Sequence, residues 1–297
     1  MATLYTEADK NVRKTWTLMI GFFIVVIAVG WVMSYALNNQ AILYAAVLLS
    51  IVMNVGSYWY SDKLALVTSG AKHVDKADAP ELYNLVENLC IAQGIPMPKV
   101  HLINDPAPNA FATGRDPAHA AIAVTTGLLS MMEKSELEGV LAHELSHIKN
   151  RDTLVMTVVV VLLGMVTLLS DFFLRSMIHG GNNDNRDGRL QIILVVAGVV
   201  LAILSPIIAQ LIQLAISRKR EFLADASGAL MTRYPEGLAS ALKKLDSYQA
   251  PMKSANHATA HLFIANPFGA RAMKGIGKLF MTHPPIDERV AALLNPR

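Results

Sequence analysis

At 297 residues, with 53% hydrophobic and only 16% charged side chains, the chain is too apolar to wrap itself as an ordinary soluble domain. A formal net charge of +3 is too small to argue for a nucleic-acid partner. The single cysteine, Cys90, excludes an intrachain disulfide and agrees with a reducing compartment.

In chain order, no Asp, Glu, Lys or Arg occurs from residue 15 to residue 61, and Asn38, Asn39 and Gln40 divide that run into spans at 15–37 and 41–61. Each has the roughly 20 residues that cross about 30 Å of hydrocarbon as a helix. Residues 1–61 therefore read as an N-terminal segment and a transmembrane hairpin; the first span is too long for a signal peptide and lacks a small-residue cleavage pattern. Residues 62–152 are polar. They predict a helix at 79–93 (Leu82, Leu85, Val86 and Leu89 at helical spacing), a strand at 100–103, the segment 109–114, and a strand at 120–126. The last is expected to lie at a sheet edge, where an extended substrate would pair with it. Ser135-Glu136-Leu137-Glu138 fits a capping box that opens the next helix.

A second hairpin follows at 153–217, with spans at 153–174 and 190–217, the latter kinked by Pro206. Residues 218–297 are mainly helical, with an amphipathic stretch at 236–245 and a last helix at 286–294 after Pro284-Pro285. Lys10, Arg13, Lys14, Lys63, Lys72, Lys76, Lys149, Arg151, Arg218, Lys219 and Arg220 all flank the spans on one side. That side is the cytoplasm by the positive-inside rule, which places both termini and both polar segments there. The fold class is thus a mainly α integral membrane protein of four transmembrane helices. Its α+β cytoplasmic domain is assembled from 62–152 and 218–297.

The chemistry lies in His143-Glu144-Leu145-Ser146-His147. On a helix, histidines four apart share a face and can grip one Zn²⁺, with Glu144 beside them. The third span starts a few residues later, so the motif helix is expected to run straight into the membrane. A hydrolytic zinc site needs a third protein ligand and an open position for water. The extension His-x-x-Gly-x-x-His fails, because Asn150 and Thr153 occupy the Gly and His places. His179 falls on the far side of the membrane, whereas Glu221, just after the fourth span, can reach. Asp225 shares its helix face and is read either as acceptor of a ligand histidine's N–H or as a plain surface carboxylate. Glu144 is the expected general base. His283, before two prolines, is either an oxyanion stabiliser or an ordinary hydrogen-bonded histidine. Asn109 offers a side-chain amide to substrate or, alternatively, serves a turn. His73, His101, His119, His257 and His261 are read as structural.

The motif, Asn109-Ala110-Phe111-Ala112, Glu221-x-x-x-Asp225 and His283-Pro284-Pro285, in this order, make the chain resemble the HtpX family of membrane zinc endopeptidases along its whole length. The resemblance implies a zincin-like (gluzincin) catalytic domain related to the CAAX prenyl endopeptidases. It also implies one Zn²⁺ per chain on His143, His147 and Glu221, with Glu144 catalytic. By the same resemblance the protein belongs in the bacterial inner membrane, where it removes unfolded or damaged membrane proteins; its partners are those substrates and the lipid bilayer. Two alternatives stand beside it: a membrane scaffold or holdase with a structural zinc, and a protease cutting inside the bilayer. The charges of Lys149, Arg151 and Asp152 between motif and span weigh against the second. Oligomeric state is left open.

Overall fold

The computed structural model of the chain describes residues 4–36, 38–162, 218–256, 259–269 and 284–295. The expected span at 190–217, the far half of the span at 153–174, and His283 lie outside the described residues.

The first hairpin consists of α1 (Leu4–Ala36) and α2 (Ala41–Thr68), joined by a turn at 38–40. Both helices overrun the spans read from hydropathy, at the ends away from the turn. With 33 residues α1 is about 50 Å long, so some 20 Å of it extends beyond a hydrocarbon layer. Stretches long and apolar enough to cross a membrane are Ala8–Tyr35 and Ala41–Tyr60. Their outward surfaces carry Ile20, Ile24, Trp31, Tyr44, Leu48 and Val52, a coat suited to lipid. Gly30 gives α1 a close approach to Ala46 of α2.

The inward line of α1, Asn11, Thr15, Met19, Phe22 and Val26, recurs every three or four residues and is buried. Its apolar part packs against Leu154, Val158, Val159 and Leu162 of a helix at Asp152–Leu162, the start of the expected third span.

A sheet of β1 (Lys72–His73), β2 (Lys99–Ile103), β3 (Ala110–Gly114) and β4 (Ala120–Thr125) has the order β1-β2-β4-β3. β2 and β4 run parallel, and the other two pairings are antiparallel. This corrects one expectation: β4 is paired on both sides, and β3 forms the edge. An all-buried, apolar strand is what a central position demands, and the composition of 120–126 could not distinguish this from an edge.

Side-chain alternation divides the sheet's two faces. Ala110, Ala112, Ile122 and Val124 face a core shared with α3 (Pro80–Gln93) and α5 (Lys134–Lys149), whereas Phe111, Ala121 and Ala123 face Ala65 and Leu66 at the end of α2. After β4 the chain makes a short α4 (Thr126–Met131) and enters α5, the motif helix. Its capping box lies two residues earlier than expected, with Glu133 as N-cap and Glu136 at the third position. Glu136 is the better partner because it also accepts from Ser240 and Lys244, both at 2.6 Å, on the helix Pro235–Ser247. Tertiary contacts thereby select the cap.

The motif helix does not run straight into the membrane. It ends at Lys149, and Arg151 adopts a left-handed backbone (φ 56°) before the next helix begins. That break shapes the functional centre.

Candidate metal centre

Within the motif helix, every residue from Gly139 to Ile148 is buried, because the helix is wrapped by the sheet, α3 and two helices from the C-terminal part of the chain. One of these, Arg218–Thr232, carries Glu221. Gly228 on that helix lets the two backbones meet: a Cβ there would stand 3.0 Å from the His143 nitrogen. The close crossing brings Glu221 to the face that bears His143 and His147. The two Nε2 atoms are 3.1 Å apart; Glu221 Oε2 lies 3.7 Å from that of His143, and Oε1 lies 3.6 Å from that of His147. Ligand atoms around a tetrahedral Zn²⁺ stand about 3.3–3.4 Å apart, so the triangle is the size the ion requires. Among the described residues, this is the cluster of His, Cys, Asp or Glu able to hold a metal.

Behind each imidazole stands a carboxylate. His143 Nδ1 is 2.9 Å from Asp225 Oδ1, and His147 Nδ1 is 2.9 Å from Asp152 Oδ2. Donation of Nδ1–H to these carboxylates fixes both tautomers and turns the Nε2 positions toward the triad centre. Asp225 is buried, so it is not a surface carboxylate. It is gripped by Arg289, whose Nε and Nη2 donate to it at 2.8 and 2.6 Å.

Burial drives His143 down to about 4, outweighing the pull of Asp225. For His147 burial also opposes charge, but the Asp152 hydrogen bond and the nearby Glu221 prevail and raise it to about 9. The two Nε2 atoms face one another across the place a cation would take. Asp225 keeps its charge: burial would lift it, yet Arg289 holds it down to about 2.

Glu144, one residue past His143, is fully enclosed. Burial and then the Glu221 charge push it up to about 8, against the backbone N–H of Ala112, which donates to it. Its Oε2 has no protein partner, an uncommon state for a buried carboxylate and an open acceptor beside the triad. The donor set, the triangle and this open acceptor fit a hydrolytic zinc centre.

Asn109 does not offer its amide to the centre. Its Nδ2 donates to the Ala265 carbonyl at 2.9 Å and its Oδ1 accepts from the Ala265 and Ala110 N–H groups, so it pins a loop to the start of β3. The expectation of a substrate-binding amide is thus corrected to the turn-like alternative. His261 lies 3.1 Å from the Met156 carbonyl through its Nε2. Sequence reasoning missed Asp152 and Arg289. Arg289 had a signal: it lies in the apolar stripe of Ile286, Val290 and Leu293, where an arginine needs a buried partner. Asp152 had none, since its reach depends on the left-handed Arg151.

Residues 76–297 match the family model described as Peptidase family M48. The chain belongs to peptidase family M48. It is a metallopeptidase and an integral membrane protein, which retires the scaffold alternative. Among its relatives in this family, a "Protease HtpX homolog" of Caldanaerobacter subterraneus subsp. tengcongensis is 48% identical over 296 residues, covering 98% of this chain and 97% of that one. One from Syntrophobacter fumaroxidans is 49% identical over 255 residues, covering 84% and 87%. One from Streptococcus gordonii is 39% identical over 296 residues, covering 98% and 99%. A crystal structure of S. mikatae Ste24p is similar at a TM-score of 0.49 and 16% identity, over 91% of this chain and 62% of that one. Membership of the M48 family implies a metal, and His143, His147 and Glu221 form a cluster that could hold it.

Proposed function

We propose that this M48 peptidase is a zinc endopeptidase that cuts unfolded or damaged membrane proteins at the cytoplasmic surface of the inner membrane. Zinc is held by His143, His147 and Glu221. The observation that carries the reading is the convergence of these three donors beside the unpartnered Oε2 of Glu144.

Bound zinc supplies Lewis acidity to the attacking water and the scissile carbonyl. Glu144, kept ionised by the adjoining cation, accepts the proton of the water as its oxygen bonds to the carbonyl carbon. The same carboxyl then donates that proton to the amine as the C–N bond breaks. Glu221 and the two histidines are buried, and the histidines are fixed by the carboxylates of Asp225 and Asp152 behind them, so little reorganisation is needed during reaction. His283 remains our candidate donor to the developing oxyanion, on the strength of its position just before the helix that carries Arg289.

β3 supplies the docking rail. Its Ala112 N–H meets Glu144, so a chain paired along this edge passes the general base. The outward groups of Ala110 are already used, by the Ile264 N–H and the Asn109 side chain, and the Ala112 N–H by Glu144, which confines pairing to the stretch from the Ala112 carbonyl onward. Arg115, at the far end of β3, stacks over Trp59 of α2 at 4.4 Å. The rail therefore ends beside the membrane hairpin, a placement suited to substrates emerging from lipid.

The test is zinc analysis and cleavage of an unfolded membrane protein by the full-length protein in nanodiscs, wild type against Glu144→Ala. Retained zinc with loss of cleavage is expected; retained cleavage overturns the mechanism. His283→Ala is expected to lower kcat more than it raises KM, and unchanged kcat removes that residue from the reaction.

A further inference from the structure

The Asp152 carboxylate that holds His147 is itself held from the N-terminal helix. Asn11 of α1 donates from Nδ2 to Asp152 Oδ1 at 2.7 Å and to the Asn150 carbonyl at 2.9 Å. On its other oxygen, Asp152 faces His147 Nδ1 at 2.9 Å. Arg220, next to Glu221, completes the group, with its Nε 3.6 Å from Asp152 Oδ1. Three parts of the chain, far apart in sequence, meet at this one carboxylate.

Asn11 is 1% exposed and lies on the same inward line as Met19, Phe22 and Val26. An apolar residue would extend that line at lower cost, because the Oδ1 of Asn11 is buried without a partner, a penalty of about 1–3 kcal/mol. Packing alone does not call for an amide here. What the amide does is occupy one oxygen of Asp152, fixing the carboxylate plane so that the other oxygen points at His147. The extra length of α1 beyond the hydrocarbon is what carries Asn11 to this depth.

We infer that Asn11 is a positioning residue of the metal centre: by orienting Asp152 against His147, the N-terminal membrane helix sets the affinity of the site for zinc. The inference rests on the reading of His147 as a ligand. It makes the seating of α1 a condition for a fully formed centre, although α1 contributes no ligand itself.

The experiment measures Zn²⁺ affinity by chelator competition, and the visible spectrum of the Co²⁺ form, for the full-length protein in nanodiscs. Asn11→Ala and the similarly sized Asn11→Leu are expected to weaken Zn²⁺ binding about tenfold and to shift the Co²⁺ bands, as loss of a partner behind a ligand does. Asp152→Ala is expected to cost at least as much, and adding Asn11→Ala to it should change the affinity less than about twofold, since the amide acts through Asp152. Met19→Ala, which loosens the same face without touching the polar link, is expected to lower Tm and leave affinity alone. Unchanged affinity in both Asn11 variants, full additivity with Asp152→Ala, or equal weakening by Met19→Ala each overturns the inference. If His147→Ala binds Zn²⁺ as the wild type does, the ligand reading falls and this inference falls with it.

Discussion

Arg289 reaches Asp225 with two parallel hydrogen bonds, and Asp225 in turn stands 2.9 Å from the Nδ1 of His143. The helix Ile286–Leu294 thus acts on the metal centre through two buried ion pairs, one to Asp225 and one to Glu221, whose Oε2 lies 3.8 Å from Arg289 Nη1. Arg289 is 0% exposed, so removing its charge strands a carboxylate in the interior. Arg289→Met is expected to cost about 3–5 kcal/mol of stability. Arg289→Lys keeps the charge but loses the fork, and should retain the fold while weakening Zn²⁺ binding by about tenfold. Thermal unfolding and chelator competition separate the two effects; a lysine variant with native affinity would remove Arg289 from the centre.

Arg151 turns the chain between the motif helix and the next one. Residues five apart on a continuous helix are about 140° apart around its axis, so without the left-handed residue Asp152 would point away from His147. A β-branched side chain tolerates this backbone poorly. Arg151→Val is expected to lose about 1–2 kcal/mol and to weaken metal binding, whereas Arg151→Gly should be neutral or slightly stabilising. Equal Zn²⁺ affinity in the Val and Gly variants would show that the turn does not set the position of Asp152.

Gly228 faces the backbone of Ala142 and His143, with contacts of 3.0 to 3.3 Å awaiting any added Cβ. Gly228→Ala gains helix propensity but pushes the Glu221 helix outward by a few tenths of an ångström. Zn²⁺ affinity is expected to fall several-fold while helical content by circular dichroism is unchanged. An unaltered affinity would mean that Glu221 follows the motif helix regardless of this crossing.

Glu136 reports on the contact between the motif helix and Pro235–Ser247. Burial alone would lift its carboxyl, but Lys244 and Ser240 and the Glu133 N–H hold it below the usual carboxylate range. A depressed folded pKa stabilises at pH above the unfolded value, near 4.3, and that contribution is lost as pH falls through the folded one. The Glu136→Gln variant should be less stable than wild type at pH 7, and the gap should narrow as the pH drops below about 4. A pH-independent gap would assign the cost to packing instead.

Cys90 is buried, and burial pushes its thiol up to about 11, so it stays protonated and silent at neutral pH. Cysteine introduced at Asn39 and at Asp78 can therefore report topology against a quiet background. With a membrane-impermeant maleimide applied from outside spheroplasts, Asn39→Cys is expected to react at once and Asp78→Cys only after permeabilisation. The reverse order would invert the orientation proposed for the catalytic face.

Much of this protein was legible in the order of its residues. Spacing decided that His143 and His147 stand together, because a helix places such residues on one face whatever surrounds it. Hydropathy and turn residues decided the first hairpin, and the amphipathic stripes decided the last two helices. Tertiary structure decided the rest. The central place of β4 and the edge role of β3 depend on strand pairing, which a uniformly apolar strand does not encode locally. The shift of the capping box to Glu133 and Glu136 depends on Ser240 and Lys244, more than a hundred residues away. The meeting of Asn11, Asp152 and His147 needs both a left-handed Arg151 and a first helix long enough to outreach the membrane. The shared face of His143 and His147 is a matter of local periodicity, whereas the arrival of Glu221 and the orientation of the rings depend on groups that come together only when distant segments pack.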